Sequence, residues 1–251
     1  MFNDLSWSVV LEDPGRSFLL HGAWVSLQLA VLAIIGSTVV GTLVALGRVS
    51  TAPALAPLRW LLSAYVEFFR NVPLLVQLVF WSFGMFSLDL VRAAAAPLNP
   101  VYSNQFLAGL LGLTIYTSAY VAEALRSGIQ SVPRGQLEAA RAGGLGYWTA
   151  MRAVVLPQAF TLAFPAIGNQ YISATKNTSV VMAIGVTDLV FQAQQIESAT
   201  FAAFEAYTAA LVIFIVLCLA ESALLALIVR GMLTKIRPGA RTAAPTPALE
   251  S

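Results

Sequence analysis

The feature that most constrains this chain is a run of apolar residues, 22–46, that contains no charged side chain. It is long enough to cross the hydrocarbon core of a bilayer, which takes about 20 residues of α-helix. Charged residues make up 10% of the chain, whereas an ordinary soluble domain carries about a quarter. So little charge cannot cover a water-facing surface, and the sequence therefore predicts an all-α integral membrane protein. Five transmembrane helices are expected, at about 22–46, 58–86, 104–127, 153–175 and 206–230.

The predicted organisation is a single transmembrane domain over 1–237, followed by a disordered cytoplasmic tail over 238–251 that is rich in Ala, Thr and Pro. One cysteine, Cys218, and one histidine, His21, exclude a disulfide framework. They also argue against a zinc, haem or iron–sulfur site built by this chain alone. A formal net charge of +2 gives no argument for nucleic-acid binding, so no nucleic acid is expected as a partner.

The distribution of basic residues predicts the orientation in the membrane, because cytoplasmic loops carry an excess of Lys and Arg. With the N-terminus outside, only Arg16, Arg92 and Lys176 lie towards the outer side. We therefore expect a multi-pass membrane protein with its N-terminus on the outer side and its C-terminus in the cytoplasm. The basic residues placed on the inner side are Arg48, Arg59, Arg126, Arg134, Arg141, Arg152, Arg230, Lys235, Arg237 and Arg241.

The loop between the third and fourth predicted spans, 131–152, is the longest soluble-looking stretch of the chain. Pro133 suits the first turn of a helix, with Ser131 ahead of it as the expected cap. A short helix over 136–142 should end at Gly143-Gly144, because glycine adopts the left-handed cap conformation freely. A second helical segment is expected to lead into the fourth span.

Within this loop, Glu138-Ala139-Ala140, Gly144 and the ending Val154, Leu156 and Pro157 resemble the EAA signature of ATP-binding-cassette (ABC) importer permeases. The resemblance implies the type I permease fold, with a cytoplasmic coupling helix that docks on a separate ATPase. A plain amphipathic helix lying on the lipid headgroups is the alternative. The residues predicted to couple to the ATPase are Gly135, Glu138, Ala139, Ala140, Arg141 and Gly144.

Other segments resemble the polar amino-acid permeases within that group: 65–77, 126–135, 168–170 and 176–179. The resemblance extends over most of the chain, from Tyr65 to Arg230. Asn71-Val72-Pro73 and Lys176-Asn177 are most similar to permeases for glutamate and aspartate. The implied function is a permease subunit of an ATP-driven importer for polar amino acids, with acidic ones favoured.

Charged residues inside predicted spans are costly and usually functional. Glu67 and Arg70, three residues apart on one helical face, are expected to pair. They are predicted either to border the translocation path or to hold helices together. Pro73 lacks a backbone donor, so it should kink the span and free a carbonyl near Phe69. That kink is interpreted either as a gate or as packing.

Lys176 ends the fourth predicted span beside amide and hydroxyl side chains, a combination that suits a zwitterion or an anionic side chain. A lysine that extends to the membrane edge is the alternative. Asn169 and Gln170 are expected either to line the same path or to bond neighbouring helices. The predicted substrate-path residues are Glu67, Arg70, Asn71, Asn169, Gln170, Lys176, Asn177, Thr178 and Ser179.

Two further charged groups are predicted to be structural: Glu123 with Arg126 as an ion pair, and Glu221 as a partner of a neighbouring helix or of a second subunit. The chain has no Gly-x-x-x-x-Gly-Lys-Ser/Thr phosphate loop, so it is not expected to be an enzyme. ATP and magnesium would be bound by a partner. Besides amino acid and bilayer, the expected partners are an ABC ATPase dimer, a second permease (related or a second copy) and a periplasmic solute-binding protein. A gradient-driven secondary amino-acid transporter is the alternative function.

Overall fold

The computed structural model describes residues 5–50 and 53–236, and every regular element within those ranges is helical. The predicted disordered tail, 238–251, lies outside the described residues. In chain order the α-helices are α1 (Ser8–Leu11), α2 (Gly15–Val49), α3 (Ala56–Asn71), α4 (Leu74–Val79), α5 (Asp89–Ala95), α6 (Asn104–Ser131), α7 (Arg134–Ala142), α8 (Tyr147–Ala150), α9 (Leu156–Asn177), α10 (Leu189–Thr200) and α11 (Ala203–Ile236).

Short 3₁₀ turns, which are tighter than an α-helix, and π turns, which are wider, connect several of these helices. Single 3₁₀ segments lie at Pro53–Leu55, Met85–Ser87, Ala96–Leu98 and Thr178–Ile184. Two π turns, Phe80–Gly84 and Met151–Val155, extend α4 and join α8 to α9.

Four continuous helical stretches are long and apolar enough to cross a membrane. They contain or overlap the predicted first, third, fourth and fifth spans, and their mean hydropathies in chain order are 2.4, 1.3, 1.4 and 2.9. Helical structure extends beyond the apolar cores, because polar residues at the ends of a helix do not stop it. The four stretches are Gly15–Val49, Asn104–Ser131, Tyr147–Ile184 and Ala203–Gly231.

The predicted span over 58–86 is broken at the expected kink near Pro73, and the bend is sharp. It consists of two arms, Pro53–Asn71 and Leu74–Ser87, that meet at an angle of 108°. Pro73 lies at the corner in an extended conformation, and Val72 before it is also extended. A residue before proline is driven out of the helical region, which is why the break occurs here.

Helix α6 is the centre of the molecule and packs against α2, α3, α4 and α9. Small residues allow the close approach. A Cβ atom on Gly41 of α2 would come within 2.8 Å of Val121, and one on Gly128 within 2.6 Å of the carbonyl of Ala159. Helix pairs in membranes commonly meet through such small residues. In contrast, none of the most apolar window of α11 is buried.

Helix α10 was not anticipated, since the stretch between the last two predicted spans was treated as an outer loop. Its sequence mixes apolar residues with Gln192, Gln194 and Glu197, so it gives no strong apolar stripe. It begins at Asp188, whose side chain accepts a hydrogen bond from the backbone N–H of Phe191. It packs between α2 and α11 through Leu189, Ala193 and their neighbours.

Candidate functional site

The predicted coupling loop leaves the bundle abruptly at the end of α6. Ser131 is the last residue of α6, and its hydroxyl donates back to the carbonyl of Ser127 at 2.9 Å. Ser131 therefore does not cap α7, although the sequence predicted that it would. Pro133 holds the N-cap position of α7 with φ −56° and ψ 131°, and the helix starts at Arg134 rather than at 136.

The exit from α7 follows the predicted glycine chemistry. The backbone N–H groups of Gly143 and Gly144 donate to the carbonyls of Ala139 and Arg141, both at 3.0 Å. Gly144 has φ +89°, in the left-handed region that a residue with a Cβ atom avoids. The turn therefore depends on a glycine at 144.

Helix α7 rests on a small apolar cluster at the base of the fourth span. Leu137 and Tyr147 pack against Val132, Met151 and Val155. This contact joins the loop to the base of α9.

The other surface of the loop is exposed. It carries most of the predicted coupling residues, while Ala140 is half-buried. Trp148, 64% exposed, and Leu145, 38% exposed, extend this surface beyond the sequence prediction. An aromatic residue directly after Gly146-Tyr147, in a loop, was the signal that could have identified Trp148. The predicted coupling residues that are exposed are Gly135, Glu138, Ala139, Arg141 and Gly144.

A three-residue ion network joins the spans next to this loop. Glu123 bonds to Arg126 one turn later on α6, which confirms the predicted pair. It also accepts a hydrogen bond from Nη1 of Arg48 at 2.6 Å, and Nε of Arg48 donates to Ser63 at 3.3 Å. Sequence reasoning missed Arg48, because it lies 75 positions from its partner. The network links α2, α3 and α6.

The bend between α3 and α4 is stabilised by one buried amide. The side-chain nitrogen of Gln77 donates to the carbonyl of Phe69 at 3.0 Å and to that of Val72 at 2.9 Å. The prediction that Pro73 frees the carbonyl of Phe69 from its helical hydrogen bond is thus confirmed. The side-chain amide of Gln77 donates to this carbonyl instead. Backbone carbonyls within a membrane must find a partner inside the protein, which explains the role of Gln77.

Glu67 and Arg70 do not form the expected ion pair with each other among the residues that the structure describes. The guanidinium of Arg70 lies over the ring of Tyr120, 5.3 Å from its centroid. The amide of Asn71 donates to the carbonyl of Glu67 at 2.6 Å. Arg70 is therefore directed towards α6 and away from Glu67.

Arg70 and Gln170 line one cavity of about 370 Å³ between α3, α6 and α9. Tyr120, Ser127 and Glu123 contribute further polar groups to its wall. Two of the predicted substrate-path residues, from different helices, are thus brought together, whereas Asn169 is exposed outside this cavity.

The group around Lys176 lies apart from that cavity, at the end of α9. Lys176 is exposed and Asn177 is half-buried. Thr178 is fully buried, and its hydroxyl donates to the backbone carbonyl of Thr175 at 2.8 Å. The hydroxyl of Ser179 donates to the backbone carbonyl of Lys176 at 2.7 Å. The two hydroxyls are therefore used in the local backbone, which leaves Lys176 and Asn177 as the accessible members.

Two further acids have partners. Glu221 of α11 accepts a hydrogen bond from Thr175 at 2.7 Å, the expected contact with a neighbouring helix. Asp188, just before α10, is fully buried, and burial raises the pKa of its carboxyl to about 7. The described residues contain no cluster of three or more His, Cys, Asp or Glu side chains that could hold a metal ion.

Comparison with known proteins gives a consistent result. The family of "binding-protein-dependent transport system inner membrane component" proteins matches residues 37–234. The probable glutamine ABC transporter permease protein GlnM of Bacillus subtilis is 39% identical over 201 residues, which cover 80% of this chain and 87% of that protein. The glutamate transport system permease protein GluC of Corynebacterium efficiens is 42% identical over 180 residues, covering 71% and 77%.

Solved structures resemble the chain over most of its length. In a crystal structure of an amino acid ABC transporter with histidines, one chain is 36% identical and superposes with a TM-score of 0.72, covering 86% of this chain and 94% of that one. A chain of the methionine ABC transporter MetNI in an inward-facing conformation is 23% identical, with a TM-score of 0.71 and coverage of 88% and 99%. The latter likeness concerns the fold alone.

Proposed function

The chain belongs to the family of binding-protein-dependent transport system inner membrane components, and from this premise we propose how it works. It is a permease subunit of an ABC importer for amino acids and is not itself an enzyme. We propose that α7 docks on a separate cytoplasmic ATPase dimer, and that the bent pair α3–α4 together with α6 and α9 forms the translocation path.

The observation that carries the coupling proposal is the exposed surface of α7. The Glu-Ala-Ala triplet projects from the bundle on a nine-residue helix that ends in a left-handed glycine. Two alanines allow a close approach by a partner, and Glu138 and Arg141 supply charges that orient it. A helix that merely lay on lipid headgroups would need an apolar face towards the bilayer, but the apolar side of α7 is used by the cluster around Leu137.

The contacts beneath α7 provide a mechanical route. Leu137 and Tyr147 connect α7 to the base of α9, and the ion network of Glu123 connects that end of α6 to α2 and α3. ATP and magnesium would bind the ATPase, whose closure draws the coupling helices of two permeases together and turns the cavity outward. Hydrolysis and product release return it to the inward-facing form.

The remaining partners follow from the same proposal. We place the N-terminus in the periplasm and α7 and the C-terminus in the cytoplasm, in line with the distribution of Arg and Lys. The most apolar window of α11, which is not buried, is available to the lipid bilayer or to a second permease, either a second copy or a related chain. A periplasmic solute-binding protein delivers the amino acid.

For the substrate we propose an acidic amino acid, glutamate or aspartate. The exposed ammonium of Lys176 beside Asn177, and Arg70 in the cavity with Gln170, are donors suited to carboxylates. The relatives are named for glutamine, glutamate, arginine and histidine, so the side-chain preference needs its own test. Uptake of labelled glutamate, glutamine and arginine by cells that carry the whole transporter, each competed with the others, distinguishes them. Equal uptake of all three would contradict acidic specificity.

The coupling proposal is tested by Glu138→Lys, which reverses a charge on the exposed surface of α7. We expect co-purification of the ATPase from detergent-solubilised membranes and amino-acid uptake both to fall at least about tenfold, as for loss of a charge-assisted contact. Gln136→Lys, also exposed on α7, is the matched control and should retain both. Normal uptake and normal association in Glu138→Lys would refute the assignment.

A further inference from the structure

A second cavity, larger than the one that holds Arg70, lies at the end of the bundle that carries α7. Its volume is about 840 Å³, and it is enclosed by the ends of α2, α3 and α6 together with α7 and α8. None of the proposed path residues lines it. Leu137 and Tyr147 of the proposed coupling route do line it, but that route assigns the cavity no ligand. The arginines on its wall are Arg48, Arg59, Arg126 and Arg134.

The charge around this cavity is unbalanced. No acidic side chain is among the described residues that line it. Glu123, just outside the wall, pairs with Arg48 and Arg126 and so offsets part of their charge. Arg134 forms no ion pair within the described part of the chain, and Nη1 of Arg59 donates to the carbonyl of Ser50 at 2.6 Å. Arg48, Arg126 and Arg134 thus face a single carboxylate, which leaves an excess of positive charge without counting Arg59. Guanidinium groups bind phosphate oxygens through fixed donors.

The opposite wall of the cavity is apolar. Ile129, Val132, Leu137, Met151 and Val155 line it, and most of them belong to the cluster beneath α7. A free phosphate ion would make no use of such a wall. A phospholipid would, since its headgroup phosphate is followed by a glycerol backbone and acyl chains. The cavity also lies where two of the long apolar helical stretches, Gly15–Val49 and Asn104–Ser131, end.

We propose that this cavity binds the phosphate headgroup of an anionic phospholipid from the leaflet on the α7 side of the membrane. The guanidinium groups hold the phosphate, and the apolar wall receives the first carbons of the lipid. Because Leu137 and Arg134 of α7 both line the cavity, the bound lipid stabilises α7 against the bundle. The inference rests on the chain spanning a bilayer, and not on the docking of an ATPase.

The test is native mass spectrometry of the complete transporter, purified in detergent and titrated with phosphatidylglycerol or phosphatidylcholine. We expect phosphatidylglycerol to be retained more strongly. Arg134→Gln should weaken its binding about tenfold, the effect of one lost charge-assisted contact. Arg152→Gln is the matched control, because Arg152 is exposed at the same end of the chain but does not line the cavity. The thermal midpoint should rise with phosphatidylglycerol in the unchanged protein and in the control, and less in Arg134→Gln.

Several results would overturn the proposal. One is equal retention of the two lipids, and another is an equal effect of Arg134→Gln and Arg152→Gln. Stabilisation by inorganic phosphate as strong as that by phosphatidylglycerol would assign the site to a soluble anion. Lipid binding to the isolated permease that disappears in the complex would mean that the ATPase occupies the cavity.

Discussion

The loop that carries α7 and the bent pair α3–α4 differ in how far apart in the sequence their stabilising contacts lie. In the loop, the glycine turn and the cluster around Leu137 join residues that are mostly within a short stretch of chain. At the bend, the amide of Gln77 also makes local contacts, with the carbonyls of Phe69 and Val72. The other contacts there are distant in sequence, because Arg70 lies over the ring of Tyr120, 50 positions away, and the nearby ion network reaches from Arg48 to Glu123.

Because of this difference, substitutions in the two regions should have different effects, either on function or on stability. The loop is exposed, so a change on it should remove function and leave the bundle folded. Gln77 at the bend is buried, and Arg48, Glu123 and Arg126 of the network are half-buried, so a change at these residues should lower the free energy of unfolding. Substitutions in the two regions test whether function and stability are lost separately.

The largest effect on function is expected for Gly144→Val. A β-branched residue at φ +89° meets the left-handed penalty of about 1–2 kcal/mol or more, so the turn after α7 rearranges. We expect uptake to fall more than about tenfold, with the thermal midpoint of the purified protein nearly unchanged. Gly143→Ala, at φ −76°, is the control and should transport normally. If both variants transport alike, the left-handed turn is not needed for coupling.

The largest effect on stability is expected for Glu123→Ala. It removes the acceptor shared by Arg48 and Arg126, whose side chains are only 10% and 28% exposed. Breaking a fully buried pair costs about 3–5 kcal/mol, and because this one is partly exposed we expect about 2 kcal/mol. Denaturant unfolding in detergent measures it. The exposed Glu67, replaced as Glu67→Ala, should cost little, and an equal loss in both variants would refute the network.

A somewhat smaller loss is expected for Gln77→Leu. The buried amide supplies donors to the carbonyls of Phe69 and Val72, and an unsatisfied buried acceptor costs about 1–3 kcal/mol. Some relaxation at the bend should keep the total at about 1 kcal/mol. Gln194→Leu, on the exposed side of α10, is the control. Unchanged stability in Gln77→Leu would mean that the bend does not depend on its amide.

The same comparison explains what could be predicted from sequence. Helix α7, its glycine exit and the apolar runs of the spans follow from neighbouring residues, and the structure places them close to the expected bounds. The kink at Pro73 was predicted for the same local reason. Its angle of 108° was not, because it depends on Gln77 finding two carbonyls and on the packing of α4 against α6.

Long-range contacts account for the remaining differences. Glu67 and Arg70 have the spacing of an ion pair, but Arg70 has Tyr120 as an alternative partner, which no local pattern reveals. Helix α10 was missed because its buried face is completed by α2 and α11. Lys176 and Gln170 were expected to line one path, but the structure places them apart. They lie at different depths of α9, and only Gln170 reaches the cavity.

The smallest effect is expected for Lys176→Ala, which tests whether an exposed residue of the path region behaves like those of the loop. Removing its ammonium should lower uptake of glutamate a few-fold and that of glutamine less, because a charge near an open surface contributes only about 1 kcal/mol. Stability should not change, since Lys176 is exposed and forms no ion pair within the described residues. Lys176→Arg keeps the charge and should retain most of the glutamate uptake. An equal decrease for both substrates would instead identify Lys176 as a residue that only anchors the end of α9 at the membrane surface.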